Sequence, residues 1–229
     1  MTLLLTNDDG YDAPGLRALI EAVRGLGETV IAAPAAAMSG CGHQVTTDRG
    51  LAVQAMAERA YAVHGTPADC VRVALHRLAP DLRWVVSGIN AGGNLGADVF
   101  HSGTVAAARE AVLHGRAGIA VSHYRRRGLE FDWPRAAEWV RPLLAELLSR
   151  PPEPGIFYNI NLPHLEPGAA PPAVVYCDPE PGPLSLSFRA EPDGSLRYDG
   201  VYQQRARRPG SDVDVCFGGA IAVSRLRLF

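Results

Sequence analysis

Near the N-terminus a short apolar run, Leu3-Leu4-Leu5, ends abruptly in Thr6-Asn7-Asp8-Asp9-Gly10. An unbroken apolar run of this length suits a strand buried on both faces, as in a parallel sheet. Pro14-Gly15 and an amphipathic stretch follow, so the two carboxylates stand at a strand-to-helix junction. In open α/β sheets, junctions at the carboxyl ends of strands line the ligand crevice. Two adjacent carboxylates in a pocket need a compensating cation. Asp8 and Asp9 are therefore candidate ligands for a hard divalent ion such as Mg²⁺ or Mn²⁺, which takes oxygen donors. Asp-Gly is also a strong turn signal, and the choice between turn and metal site depends on what the rest of the chain supplies.

The remaining pattern alternates strand and helix. Residues 2–6 read as a strand. Residues 14–25 read as a helix with Leu16, Leu19, Ile20 and Val23 on one face, and Thr29 to Ala33 as a second strand. A long Ala-, Gly- and Ser-rich loop over 34–46 holds Met38-Ser39-Gly40-Cys41-Gly42-His43, and a local hairpin is expected over 51–64. Thr66-Pro67-Ala68-Asp69 carries a cap, a first-turn proline and an acidic first-turn residue, which opens a helix. Arg83 to Ser87 is a buried strand running into the glycine-rich loop Gly88 to Gly96. His101-Ser102-Gly103-Thr104 starts the next helix, which Gly115 closes. Gly118 to Ser122 is a strand, and residues 132–149 form a helix that Pro142 should kink or split. The order predicts an α/β fold, a Rossmann-like, doubly wound and mostly parallel sheet.

After Pro151-Pro152-Glu153-Pro154 the character changes. Strands are expected at 157–161, 173–177 and 219–228. An extended hairpin is expected to join Leu184–Phe188 to Leu196–Tyr198 across Pro192-Asp193-Gly194. The chain is thus expected to divide into a catalytic domain, 1–163, and a C-terminal arm, hairpin and final strand, 164–229. The arm looks too thin to bury its own apolar residues, so it is expected to pack on a second subunit.

Composition removes several function classes. A net charge of −2 implies no general polyanion-binding surface, so no nucleic-acid polymer is expected as a partner. Arg125 to Arg127 and the run Arg205 to Arg208 read as solvated loops. The chain has no lysine, which removes a P-loop amine and Schiff-base chemistry. Cys41, Cys70, Cys177 and Cys216 are widely spaced and read as reduced thiols. No basic leader and no apolar run near the roughly 20 residues of a membrane span are present, so the protein is expected to be cytoplasmic.

Three strand-end loops could converge on one sheet edge: Asp8/Asp9, the loop holding Ser39, and Asn90 with its glycines. Ser39 says little by itself, and Asn90 could simply satisfy backbone groups in its own turn. Ser102, Gly103 and Thr104 open a helix, and amides at a helix N-terminus bind phosphate; Ser102 or Thr104 would in any case cap it. The loop does not match G-x-G-x-x-G, and no histidine or cysteine spacing suggests zinc. Of the histidines, His43 and His101 lie near these loops, and His101 adjoins the phosphate cradle. A divalent ion polarises a phosphoryl oxygen and acidifies bound water, and Asp8 could orient or deprotonate an attacking water. Direct hydrolysis fits better than an aspartyl-phosphate, because an Asp held by a metal is a poor free nucleophile.

These stretches resemble the SurE family, the survival protein E nucleotidases. The resemblance rests on Thr6-Asn7-Asp8-Asp9-Gly10 with Ala13-Pro14-Gly15, and on Ala33-Pro34, Ser39-Gly40, Gly65-Thr66-Pro67-Ala68-Asp69-Cys70 and Val86-Ser87-Gly88-Ile89-Asn90-Ala91-Gly92. Asn94-Leu95-Gly96, Ser102-Gly103-Thr104-Val105-Ala106-Ala107-Ala108 and Asn159-Ile160-Asn161-Leu162-Pro163 complete it. The match covers 1–163 in order. It implies a divalent-metal-dependent phosphatase acting on nucleoside 5′- and 3′-monophosphates, and a homodimer or homotetramer with exchanged C-terminal arms. It places metal ligands at Asp8, Asp9, Ser39 and Asn90, and phosphate-binding residues at Asn94, Ser102, Gly103 and Thr104. Beyond Pro163 the match thins, although Gly210-Ser211-Asp212 resembles a Gly-Thr-Asp element of the family. The arm is expected to be short or altered. Two further readings share these residues: a nucleotide- or phosphate-binding member without catalysis, and a phosphatase for another small phosphoester.

Overall fold

In the computed structural model, which describes residues 1–184 and 186–229, the leucine run forms strand β1 (Thr2–Thr6), buried along its whole length. The other strands, in chain order, are β2 (Glu28–Pro34), β3 (Val53–Ala57), β4 (Ala60–Val63), β5 (Trp84–Asn90), β6 (Ala117–His123), β7 (Ile156–Leu162), β8 (Val174–Tyr176), β9 (Phe188–Ala190), β10 (Leu196–Tyr198) and β11 (Ile221–Arg227). The helices are α1 (Pro14–Val23), α2 (Pro67–Val73), α3 (Gly103–Leu113), α4 (Trp133–Ser149) and α5 (Asp212–Phe217).

Among the described residues nine strands join one sheet in the order β3-β4-β2-β1-β5-β6-β7-β11-β8. From β4 to β7 every neighbouring pair is parallel. β3 and β11 run antiparallel to β4 and β7. The strands wind outward in both directions from β1 and β5, which makes the boundary between them the topological switch point.

Side-chain alternation along β1 divides the core. Leu3 and Leu5 pack with Leu16 and Leu19 of α1 and with Val140 and Leu144 of α4. Leu4 packs on the opposite face with Val71 of α2 and Ala107 and Ala111 of α3. The predicted doubly wound α/β sandwich is thus formed, two helices to a face.

Local signals set the element ends. Thr66 Oγ1 accepts from the Asp69 N–H, and Asp69 Oδ2 accepts from the Thr66 N–H, a complete capping box on α2. Ser102 caps α3 by accepting from the Val105 N–H.

Four expectations need correction. β5 continues past Ser87, so Gly88 to Asn90 belong to the strand and Asn90 closes it. Pro142 does not split α4, which runs unbroken over 17 residues. Pro142 and Glu138, the residue whose carbonyl it leaves without a helical donor, are both exposed, so water can satisfy that group. Arg205 is not solvated: its side chain is 7% exposed and its guanidinium pairs with Asp98 at 2.7 Å. The hairpin is present as the antiparallel pair β9–β10, but its first strand is Phe188–Ala190 rather than 184–188; Ser185 lies outside the described residues. The last strand, β11, sits in the main sheet between β7 and β8, so the C-terminal segment completes the sheet as well as forming the hairpin.

Candidate active site

β1 ends in Asn7, which is completely buried. Its amide Nδ2 donates to the Gly10 carbonyl at 2.9 Å, and its Oδ1 accepts from the Gly10 N–H at 3.3 Å. The turn is therefore present, and it holds Asp8 and Asp9 at the carboxyl end of β1, at the switch point. The turn itself leaves both carboxylates free to serve a ligand.

Each carboxylate is gripped by a different loop. Asp8 is 4% exposed, and its Oδ1 accepts from Thr104 Oγ1 at 2.5 Å. Asp9 is half-buried, and its Oδ2 accepts from the Ala91 N–H, just past the end of β5, at 3.0 Å. The Asp8 backbone carbonyl accepts from the Met38 N–H at 2.7 Å, which seats the Ser39 loop beside the pair. A side chain on Gly103 would place Cβ 2.9 Å from both Asp8 Cβ and Cys41 Sγ, so only glycine lets α3 begin this close to Asp8. The three strand-end loops converge on one edge, as the sequence pattern predicts.

Burial pushes the Asp8 carboxyl above its ordinary pKa; the Thr104 hydrogen bond opposes this and the Asp9 charge reinforces it. Burial also raises Asp9, against the Ala91 hydrogen bond. A buried like-charged pair is the situation a cation relieves. Among the described residues no group of three or more His, Cys, Asp or Glu is placed to hold a metal. The Ser39 and Asn90 loops seated against the pair offer a hydroxyl and a carboxamide, and Cys41 Sγ lies on the same side of Asp8. Two carboxylates with a hydroxyl and a carboxamide suit a hard cation such as Mg²⁺ or Mn²⁺.

The other expected residues fall as follows. Ser39 is exposed and directly follows Met38. Asn90 is half-buried; its Nδ2 donates to the Gly92 carbonyl at 2.8 Å, so it does support its own turn while its amide oxygen has no partner among the described residues. Ser102, Gly103 and Thr104 form the start of α3 against Asp8, all buried. Asn94 is 7% exposed and bound on three sides. Its N–H donates to Asn161 Oδ1 at 2.8 Å, its Nδ2 to Ser122 Oγ at 2.7 Å, and its carbonyl accepts from Asn159 Nδ2 at 2.8 Å. Asn94 thus ties the glycine-rich loop to β6 and β7. His101 is exposed at the end of the short 3₁₀ turn Gly96–Phe100.

Two features lie outside the sequence reading. Thr104 reads as part of an anion cradle, yet its hydroxyl is the direct partner of Asp8. His43, without an evident partner in the sequence, pairs with Glu110 of α3 at 2.7 Å. Both contacts join residues far apart in the chain, and no local pattern encodes them.

The chain has similar proteins of known sequence and structure. The family model described as "Survival protein SurE" matches residues 3–177. A Nostoc sp. protein with the provisional name 5′-nucleotidase alr3139 is 54% identical over 228 residues, covering all of both chains. The 5′-nucleotidase SurE of Myxococcus xanthus is 40% identical over 94% of this chain and 82% of its own. The crystal structure of the SurE protein from Aquifex aeolicus superposes with a TM-score of 0.85 at 30% identity, covering 100% of this chain and 94% of that one. With a carboxylate pair at the switch point, a helix start packed against it and a family match over most of its length, this chain belongs to the SurE family.

Proposed function

We propose that the chain is a divalent-metal-dependent phosphatase that hydrolyses nucleoside 5′-monophosphates, and 3′-monophosphates, to nucleoside and phosphate. The observation that carries the reading is the Thr104–Asp8 hydrogen bond. It fuses the helix start suited to phosphate with the carboxylate pair suited to a cation. The names of the Myxococcus and Moorella relatives, both 5′-nucleotidase SurE, support the substrate class.

In this reading Asp8, Asp9, Ser39 and Asn90 hold Mg²⁺ or Mn²⁺. Once bound, the cation would neutralise the carboxylates and polarise a phosphoryl oxygen. Ser102, Gly103 and Thr104 receive the phosphate. The Thr104 hydroxyl is committed to Asp8, whereas the Ser102 oxygen only accepts from the Val105 N–H, which leaves the Ser102 O–H and the Gly103 N–H as donors for the phosphate. Asn94 belongs to the phosphate subsite as the residue that fixes its loop. Asp8 orients the attacking water and accepts its proton, while Thr104 holds the carboxylate in place.

The working form is a homodimer or homotetramer with exchanged C-terminal arms. Leu186 and Leu196 are 82% and 68% exposed in the single chain, which a partner would cover. The cytoplasm is the proposed compartment, since all four cysteines are free thiols. No described helix is long and apolar enough to cross a membrane.

The test is phosphate release from AMP and 3′-AMP by purified protein with Mn²⁺ or Mg²⁺. The account expects turnover that chelator abolishes and that Asp9→Ala lowers by at least about 1,000-fold, a loss on the scale of removing a principal charge-stabilising group. Turnover that survives both treatments contradicts it.

A further inference from the structure

The loop that carries Ser39 closes a turn on itself, the Cys41 N–H donating to the Met38 carbonyl at 3.1 Å, and is tied to the rest of the fold at points outside that turn. On one side the Met38 N–H donates to the Asp8 carbonyl. On the other, the Gly42 N–H donates to the His101 carbonyl at 3.1 Å, and His43 Nε2 meets Glu110 Oε2 at 2.7 Å. Between these anchors Gly40 and Gly42 both take left-handed backbone, with φ of +74° and +60°, and the space where a Gly40 side chain would lie is open. Ser39 itself is exposed. Among the described residues no hydrogen bond fixes the Ser39 side chain, so its place relative to Asp8 is set by the turn and by the anchors that seat it.

Glu110 is a buried carboxylate on α3, 5% exposed. His43, His114 at 3.0 Å and Arg72 at 3.8 Å surround it. Burial raises its pKa, but the hydrogen bonds and charges of His43 and His114 outweigh this and hold the carboxyl below its usual range. A carboxylate in so dry a place requires its partners. Of the three partners, only His43 comes from the Ser39 loop. His114 is on the same segment as Glu110, and Arg72 comes from α2. Glu110 in turn lies on the helix whose first turn carries Ser102, Gly103 and Thr104.

We propose that His43 and Glu110 form a positioning latch. It fixes the 38–43 loop, and with it Ser39, against the same helix that presents the phosphate cradle. Thr104 joins Asp8 to that helix directly, and the latch does the same for Ser39. His43 acts through Ser39 and is a positioning residue, not a catalytic one. This inference rests on the proposed metal-dependent function.

The experiment measures Mn²⁺ binding by isothermal titration calorimetry on the full chain, with no substrate present. It compares wild type, His43→Ala, His43→Gln, His114→Ala and Asp9→Ala. Thermal melts of each variant confirm folding. Loss of a group that orients metal ligands weakens metal affinity by about 10- to 100-fold, so His43→Ala is expected to bind Mn²⁺ at least about 10-fold more weakly. His43→Gln, which retains a donor toward Glu110, recovers most of the loss. His114→Ala, which removes a partner outside the loop, binds Mn²⁺ as wild type does. Wild-type Mn²⁺ affinity in His43→Ala, alongside loss of binding in Asp9→Ala, overturns the latch and leaves the metal site standing. Equal weakening in His43→Ala and His114→Ala also overturns it, because the effect then belongs to Glu110 and not to the loop. Unchanged binding in Asp9→Ala instead overturns the functional reading on which the latch rests.

Discussion

Thr104 separates the two roles that its position combines. It is completely buried, and its hydroxyl is the only side-chain donor to Asp8 among the described residues. Thr104→Val keeps the shape and removes that donor, so Asp8 is left buried with its charge less well paired. The expected result is a fall in kcat/KM for AMP of about 10- to 100-fold, the scale of lost orientation of a metal-binding group, with the melting temperature within a few degrees of wild type. Steady-state kinetics and a thermal melt check it, and wild-type kcat/KM would show that the hydroxyl only packs. At this scale the sequence was informative where chemistry follows from position along the chain. Asp8, Asp9 and Asn90 stand at strand ends, and strand ends are legible from apolar runs. Ser39 was not, since a loop serine has no local signature, and it entered through the family resemblance. The contacts Thr104–Asp8 and His43–Glu110 span 96 and 67 residues, and only the folded sheet reveals them.

Asp69 does at the level of elements what Thr104 does at one atom. It closes the capping box of α2, and it also reaches out to the loop that follows Ser39. Thr46 donates to it twice, from its N–H at 2.8 Å and its hydroxyl at 2.7 Å. Burial raises its pKa, but these bonds and those from Thr66 prevail and lower it below the ordinary carboxylate value. A carboxylate whose folded pKa is depressed stabilises the fold above its unfolded pKa, and the stabilisation is lost as pH falls through the folded value. Asp69→Asn should therefore cost about 1–2 kcal/mol at neutral pH, the usual worth of a cap with charge-assisted bonds. The difference from wild type should shrink as the pH drops below the Asp69 folded pKa. Urea denaturation at neutral and acidic pH measures both, and a gap that stays constant with pH would contradict the assignment. Elements themselves were largely legible, because β1 and β7 are short, mostly apolar runs and α1 and α4 carry helical stripes. α5 was missed for a physical reason. Val213, Val215 and Phe217 alternate with polar residues as in a strand, but the Ser211 cap and packing of Val213 and Cys216 under Leu95 and Ala222 impose a helix.

At the scale of the whole molecule, catalysis is proposed for the carboxyl edge of the main sheet and assembly for the C-terminal segment. The active-site loops gather at the β1–β5 switch point, while β8, the β9–β10 ribbon and their exposed apolar residues lie in the C-terminal third. Sedimentation velocity is expected to show a dimer or tetramer, and deletion of the β9–β10 hairpin, 186–199, to shift it toward monomer; a wild-type monomer at micromolar concentration would remove assembly from the account. The hairpin was visible in the sequence as two apolar stretches about a Pro-Asp-Gly turn, whereas the pairing of β11 between β7 and β8 was not, because nothing local specifies a strand's neighbours. The central claim remains the carboxylate pair as half of a metal centre. Anomalous diffraction from crystals soaked in Mn²⁺ tests it most directly. One manganese peak within about 2.5 Å of oxygens of Asp8 and Asp9, at the distance hard divalent ions keep from their ligands, with Ser39 and Asn90 beside it, is the predicted result. A map with no peak at Asp8 and Asp9, from protein that hydrolyses AMP in Mn²⁺, would contradict it.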